Sequence, residues 1–161
     1  MPLFREGSVA PVVNDGPTPL PLWEWLQSPT HPAVALANTD EVAQLAPHIA
    51  ALRLIVLNFP KFSDGRAYSQ ARLLRERLGY RGELRASGGV LQDQLPFMLR
   101  CGFDSFDSEQ KGFGGALARA RTLFSVVYQP TEDGRATASQ LRRQRLSTTS
   151  SSRPSRSRAT R

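Results

Sequence analysis

Cysteine is nearly missing from this chain. Cys101 is the only one in 161 residues, which excludes an internal disulfide and any iron–sulfur cluster held by four thiolates of this chain. A reducing compartment, and so the cytoplasm, is the expected location. No apolar run approaches the ~20 residues that span a bilayer. The first thirty residues are broken by Pro2, Pro11, Pro17, Pro19, Pro21 and Pro29 and show no secretory apolar core, so no membrane association is expected. Histidine is also scarce. Neither His31 nor His48 has a second ligand at metal spacing, so no metal site is expected, and His48 reads as solvent-facing or locally bonded. Haem-attachment and nucleotide-loop motifs are absent too. Gly112-Phe113-Gly114-Gly115 matches neither the dinucleotide fingerprint nor the phosphate loop, and it reads as a flexible connector.

Acidic residues are missing after Asp133, and this absence explains the charge. The net charge is +7, but eight arginines from Arg135 to Arg161 supply the excess; without them the chain carries one more acid than base. The folded part is therefore nearly neutral, and nucleic acid is not an expected partner. Residues 131–161, rich in Arg, Ser and Thr, read as a disordered tail. Residues 1–30 read as an irregular proline-rich arm whose Trp23, Trp25 and Leu26 either pack on the domain or meet a partner.

Residues 31–130 remain, one domain's worth of chain with an ordinary apolar content. Here strand and helix patterns alternate. Ala33–Ala37 reads as a strand, and Thr39 or Asp40 is placed to cap a helix carrying Val42, Leu45, Ala46 and Ile49, which Pro47 shortens or kinks. Leu54-Ile55-Val56-Leu57 is the unbroken apolar run of a strand covered on both faces. After it, Ser63 or Asp64 opens a helix with Ala67, Ala71, Leu74 and Leu78 on one face, ended by Gly79. Glu83–Ala86 is a third strand, Val90 to Leu99 a helix ended by Gly102 with Pro96 inside it, and Gly102–Phe106 a fourth strand. A last helix begins at Ala116 and runs through Phe124, with Val127 and Tyr128 as its extension. The expected class is α/β, a parallel sheet built from successive βα units. An open doubly wound sheet and a partial βα barrel both satisfy the pattern.

In such sheets the loops leaving the strands gather at their carboxyl end, where ligands ordinarily bind. Asn58, Lys61, Asp64 and Arg66 leave the second strand; Ser87, Gly88 and Gly89 leave the third. If the strands are neighbours, two cations face a glycine turn whose N–H groups suit an anion. The expected surface is Lys61, Arg66, Ser87, Gly88 and Gly89, with Asn58 and Asp64 as turn and cap support. The alternative is that Asp64 caps its helix and bonds Arg66, so that the motif only fixes the turn.

The stretch Phe59-Pro60-Lys61-Phe62-Ser63-Asp64-Gly65-Arg66-Ala67-Tyr68-Ser69-Gln70-Ala71-Arg72, continuing through Gly82–Ala86 and Leu91–Gln94 to Cys101–Asp104, closely resembles a bacterial family, Domain of Unknown Function nine-three-four. The resemblance covers about residues 20 to 130. It implies a pathway, because members of that family are typically encoded beside assimilatory sulfite reductase and are labelled oxidoreductases of sulfite reduction. That family's turn usually reads Gly-Asp where this chain has Gly88-Gly89, so a carboxylate role there is lost. Two function classes follow. One is an accessory protein of assimilatory sulfite reduction, partnered by the reductase or another sulfur-assimilation protein and binding a small oxyanion or an acidic surface. The other is a small oxidoreductase using a diffusible cofactor. Redox chemistry needs a cofactor or paired thiols; the residues name no cofactor and no catalytic group, which favours the accessory class.

Overall fold

The computed structural model describes residues 1–123, 126–128, 130–131 and 134–150, with side chains to residue 144. Six strands form one sheet: β1 (Leu3–Arg5), β2 (Leu20–Pro21), β3 (Ala33–Leu36), β4 (Leu54–Phe59), β5 (Glu83–Gly88) and β6 (Ser105–Asp107). Their order is β1-β6-β5-β4-β3-β2. From β2 to β6 every neighbour is parallel, and Ile55 faces Leu84 as the alternation of strand and helix requires. Only β1 runs antiparallel, pairing Phe4 with Phe106 at the far edge.

Strands that are consecutive in sequence are also adjacent in space from β2 to β6, and this decides between the two expected architectures. Right-handed crossovers that always step the same way lay their helices on one face of the sheet. The core shows this: Val34, Leu36, Ile55, Leu57, Leu84 and Phe106 from the strands join Leu45, Ala67, Leu74, Met98 and Leu117 from the crossovers in one cluster. The opposite face buries a much smaller cluster, Ala33, Leu54 and Val56. The sheet is therefore singly wound, with the connectivity of a section of a βα barrel.

The open face is covered by the chain's own beginning. β1 lies at one edge and β2 at the other, so residues 6–19 must cross the sheet. Their contacts trace the route: Asn14 Oδ1 accepts from Arg85 Nη2 at 3.3 Å and Asp15 from Arg5 at 3.2 Å, and Gly16 lies against Leu54 and Arg85. Beneath this strap Glu83 collects hydrogen bonds from Ser105 Oγ (2.6 Å), Arg85 (2.8 Å) and Arg5 (3.2 Å). Burial pushes the Glu83 carboxyl up, but Ser105 and the two arginines outweigh it, and the group stays below its ordinary value. The first thirty residues are thus not an appended irregular arm. They supply two strands, the short helix α1 (Leu22–Trp25) and the fully buried Trp25, whose indole donates to His31 O at 2.8 Å.

The crossovers depart from the expected helices in instructive ways. Val42–Ala51 is a 3₁₀ helix, in which the three-residue spacing of Val42 and Leu45 puts both against the sheet. Pro47 has no amide to give to an α-helical ladder. Next comes α2 (Arg66–Arg72), which continues as a π turn over Leu73–Arg77 and ends at Gly79 with φ +65°. The wider turn buries Arg75 beside Leu74. Arg75 then donates to Gly102 O, Tyr80 O, Gly82 O and Asp104, tying together the loops at the amino end of the sheet. The helix expected from Val90 begins as α3 (Leu95–Arg100), so Pro96 occupies its first turn, where its missing amide costs nothing.

The expected flexible glycine connector is the start of a helix, α4 (Phe113–Ala120), with Phe113 buried against Phe4 and Phe106. This helix does not extend through Val127, which instead bridges Thr137 in parallel. Phe124 lies outside the described residues. The tail expected to be structureless from residue 131 contains α5 (Ala138–Ser150), anchored by Ala138 N donating to Val127 O at 2.7 Å and by the buried Thr137. Residues 151–161 lie outside the described residues.

Candidate functional site

Parallel pairing of β4 and β5 places the two predicted loops side by side. Asn58 is in register with Ser87 and Phe59 with Gly88, so the residues expected to be neighbours are neighbours. The two loops also pack tightly. Gly88 has φ +93°, and a Cβ there would stand 2.4 Å from Phe59 O and 2.8 Å from Asn58 Oδ1; one on Gly89 would stand 3.0 Å from Phe62 N. Both glycines are needed for close approach of backbones. That same closeness removes part of the expected anion cradle, because Gly89 N donates to Phe59 O at 2.7 Å and Val90 N to Gly88 O at 2.8 Å.

Arg66 also departs from the expected cradle. Its fork is occupied: Nε donates to Asp64 Oδ1 at 3.0 Å and Nη2 to Oδ2 at 2.6 Å, and its backbone amide also reaches Oδ1. Asn38, on the loop after β3, adds a short bond to Asp64 Oδ2. The bonds from the Arg66 side chain, followed by its amide, hold the Asp64 carboxyl down at about 2. Asp64 thus ties two loops, as the turn-fixing alternative requires. Arg66 is nonetheless 58% exposed at its side chain, so its outer edge faces solvent. Lys61 is exposed as well, and its side chain makes no hydrogen bond or ion pair among the described residues. Between them in sequence, Phe62 presents its ring at 57% exposure.

Beside this charged rim a cleft of about 690 Å³ opens on the same end of the sheet. Asn58 and Ser87 line it, and neither side chain has a protein partner among the described residues. Trp23 forms another wall and is 66% exposed. Asp40, expected to cap a helix, instead accepts from Ala37 N at 2.8 Å, and the buried Gln70 bonds the Ala37 and Asp40 carbonyls to hold that loop. Sequence reasoning missed Asn38 and Gln70, and it left Trp23 undecided between packing and a partner. Trp25 is the one that packs; Trp23 is the exposed one.

Tyr68 packs edge-on to Phe59 and tilted against Phe97, and burial, with Cys101 and Asp93 adding, pushes its phenol up to about 12. It is a neutral hydroxyl at any physiological pH. His48 is half-buried with its ring edge-on to Trp25, and His31 bonds the Ala33 carbonyl. Among the described residues no three His, Cys, Asp or Glu side chains converge where they could hold a metal ion.

The fold and this rim define a singly wound α/β domain with a cationic, aromatic-bearing loop cluster at the carboxyl end of its sheet. The chain belongs to the bacterial family described as a protein of unknown function (DUF934), whose model matches residues 33–139. The match begins at β3, so it takes in every predicted loop residue and leaves out Trp23. No curated protein matches the chain. Among the described residues no helix is long and apolar enough to cross a membrane.

Proposed function

We propose that this protein is an accessory protein of assimilatory sulfite reduction that docks an acidic surface of the reductase at the carboxyl end of its sheet. One observation carries the docking mode: Lys61, Phe62 and the outer edge of Arg66 are all exposed on one loop, which is pinned by Asp64. A caged oxyanion needs converging donors, and here the Arg66 fork and the Gly89 amide are already spent. What remains is pre-set charge beside a ring, which suits a protein surface better: charges steer the encounter and an aromatic side chain anchors it. The pathway comes from the family resemblance.

A second reading, a small oxidoreductase using a diffusible cofactor, is favoured by the cleft with its unpartnered Asn58 and Ser87 and its indole wall. Clefts of this size commonly take small molecules. Growth separates the two readings. A strain whose only copy carries Lys61→Glu with Phe62→Ala should fail on sulfate or sulfite and grow normally on cysteine, while Asn58→Leu should grow on all three. Normal growth of the Lys61/Phe62 variant on sulfite would contradict docking, and failure of Asn58→Leu alone would favour the second reading.

A further inference from the structure

Trp23 and Leu26 stand three residues apart at α1 and are both exposed, while Leu22 and Trp25 bury the other side of that turn. The two exposed residues line the cleft of about 690 Å³ that lies between α1 and the carboxyl ends of β3, β4 and β5. An indole face left open beside aliphatic side chains is a platform for a flat ring.

Strand alternation sets the polar side of the cleft. Ile55, Leu57, Leu84 and Ala86 belong to the helix-side core, and Leu54 and Val56 to the small cluster on the opposite face. Asn58 and Ser87 come next on that opposite face, and the β4–β5 register sets them side by side on strands about 4.8 Å apart. Both side chains are without a hydrogen-bond partner among the described residues. The loop after β3 is held from behind, since the buried Gln70 bonds the Ala37 and Asp40 carbonyls and Asp40 accepts from Ala37 N. A ligand therefore meets walls that are already in place.

The lining selects the chemistry of that ligand. Asn58 offers a carboxamide, with a donor and an acceptor side by side, and Ser87 a hydroxyl that can act as either. Asp40 is the only charged residue lining the cleft among the described residues, so an anion meets no counter-charge there. A sugar carries hydroxyls around its whole rim, and Pro21, Leu22 and Leu26 could pair with none of them. We infer that the cleft binds a neutral fused heteroaromatic ring with a lactam edge, stacked on Trp23 and paired at its N–H and C=O with Asn58 and Ser87. The volume falls in the range of small-molecule sites, roughly 300–1,000 Å³. None of Lys61, Phe62 and Arg66 lines the cleft, so docking and ring binding stand or fall separately. Ring binding rests on the cleft of the second reading and not on its redox role. Normal growth of Asn58→Leu would remove that role and leave ring binding in place.

Calorimetric titration of the full chain with inosine, 1-methylinosine and glucose tests it. Inosine should bind saturably, and 1-methylinosine, whose ring N–H is blocked, should bind at least about tenfold more weakly. Glucose should give no binding heat. Trp23→Ala should weaken inosine by about tenfold or more, and Asn58→Ala should bring inosine down to the level of 1-methylinosine. Cooperative unfolding of each variant shows that it is folded; if Trp23→Ala does not fold, the comparison of the two nucleosides on the parent chain decides alone. Four outcomes would each overturn the assignment: no heat from inosine at millimolar concentration, 1-methylinosine binding as tightly as inosine, glucose binding as tightly as inosine, or an inosine affinity unchanged in folded Trp23→Ala.

Discussion

Asp64 grips Arg66 in a fork, with Nε on Oδ1 at 3.0 Å and Nη2 on Oδ2 at 2.6 Å, and this pair sets the shape of the loop after β4. Those bonds hold the Asp64 carboxyl at about 2, below its ordinary 3.8. A depressed folded-state value means that the ionised group stabilises the fold above its unfolded pKa and that this contribution is lost as pH falls through the folded one. Asp64→Asn should therefore be less stable than the parent near neutrality, and the gap should close between about pH 4 and pH 2. Urea midpoints across that window check it. Equal midpoints at neutral pH would show that the pair contributes nothing.

Gly114 and Gly115 adjoin in α4 but should respond oppositely to alanine. A Cβ on Gly114 would run into the Val9 carbonyl and the Phe4 ring, whereas one on Gly115 meets only the end of the Arg119 side chain at 3.4 Å. Gly114→Ala should cost about 1–3 kcal/mol by overpacking. Gly115→Ala should gain about 0.5–1 kcal/mol from helix propensity. Chemical denaturation of both variants tests whether the first residues are folded onto this helix, since a chain whose beginning hung free would tolerate Gly114→Ala.

The two tryptophans differ in what they contribute to stability. Trp25 is fully buried and bonded through its indole, so Trp25→Ala should cost about 3–5 kcal/mol. Trp23 is 66% exposed, and Trp23→Ala should change stability by less than about 0.5 kcal/mol. Thermal melts of the pair decide it, and a large loss in Trp23→Ala would show that the cleft wall is structural.

Much of this was legible from local pattern. Leu54–Leu57 announces a doubly covered strand, and the stretch from Arg66 to Gly79 carries its own face and stop signal. What escaped depends on distance or on one side chain. β1 pairs with β6 across about a hundred residues, and its three-residue run Leu3–Arg5 has no local strand signal. β2 contains a proline, which an edge strand tolerates and a pattern search rejects. The π turn that buries Arg75 has no sequence signature, because an arginine on a helix normally reads as solvent-facing. At the candidate site the neighbours Asn58 and Ser87 followed from parallel pairing, while the spending of the Gly89 amide followed from how closely the loops pack.

The tail should be removable only in part. Ending the chain after Ser150 removes Arg153, Arg156, Arg158 and Arg161 and should leave the melting temperature unchanged while lowering the isoelectric point. Ending it after Gly134 removes the buried Thr137 and the Ala138–Val127 bond, and should lower the melting temperature by several degrees, for a loss of about 1–2 kcal/mol. Differential scanning calorimetry of the two truncations tests whether Thr137 and the start of α5 belong to the domain.

The proposed docking sets the rim of Lys61, Phe62 and Arg66 against an acidic surface of assimilatory sulfite reductase. Calorimetric titration of the two purified proteins tests it most directly. Binding should be saturable and weaken as salt is raised, with a loss of about tenfold or more in Lys61→Glu and again in Phe62→Ala, both variants being folded. Absence of binding at low salt, or an affinity that neither variant changes, would contradict it.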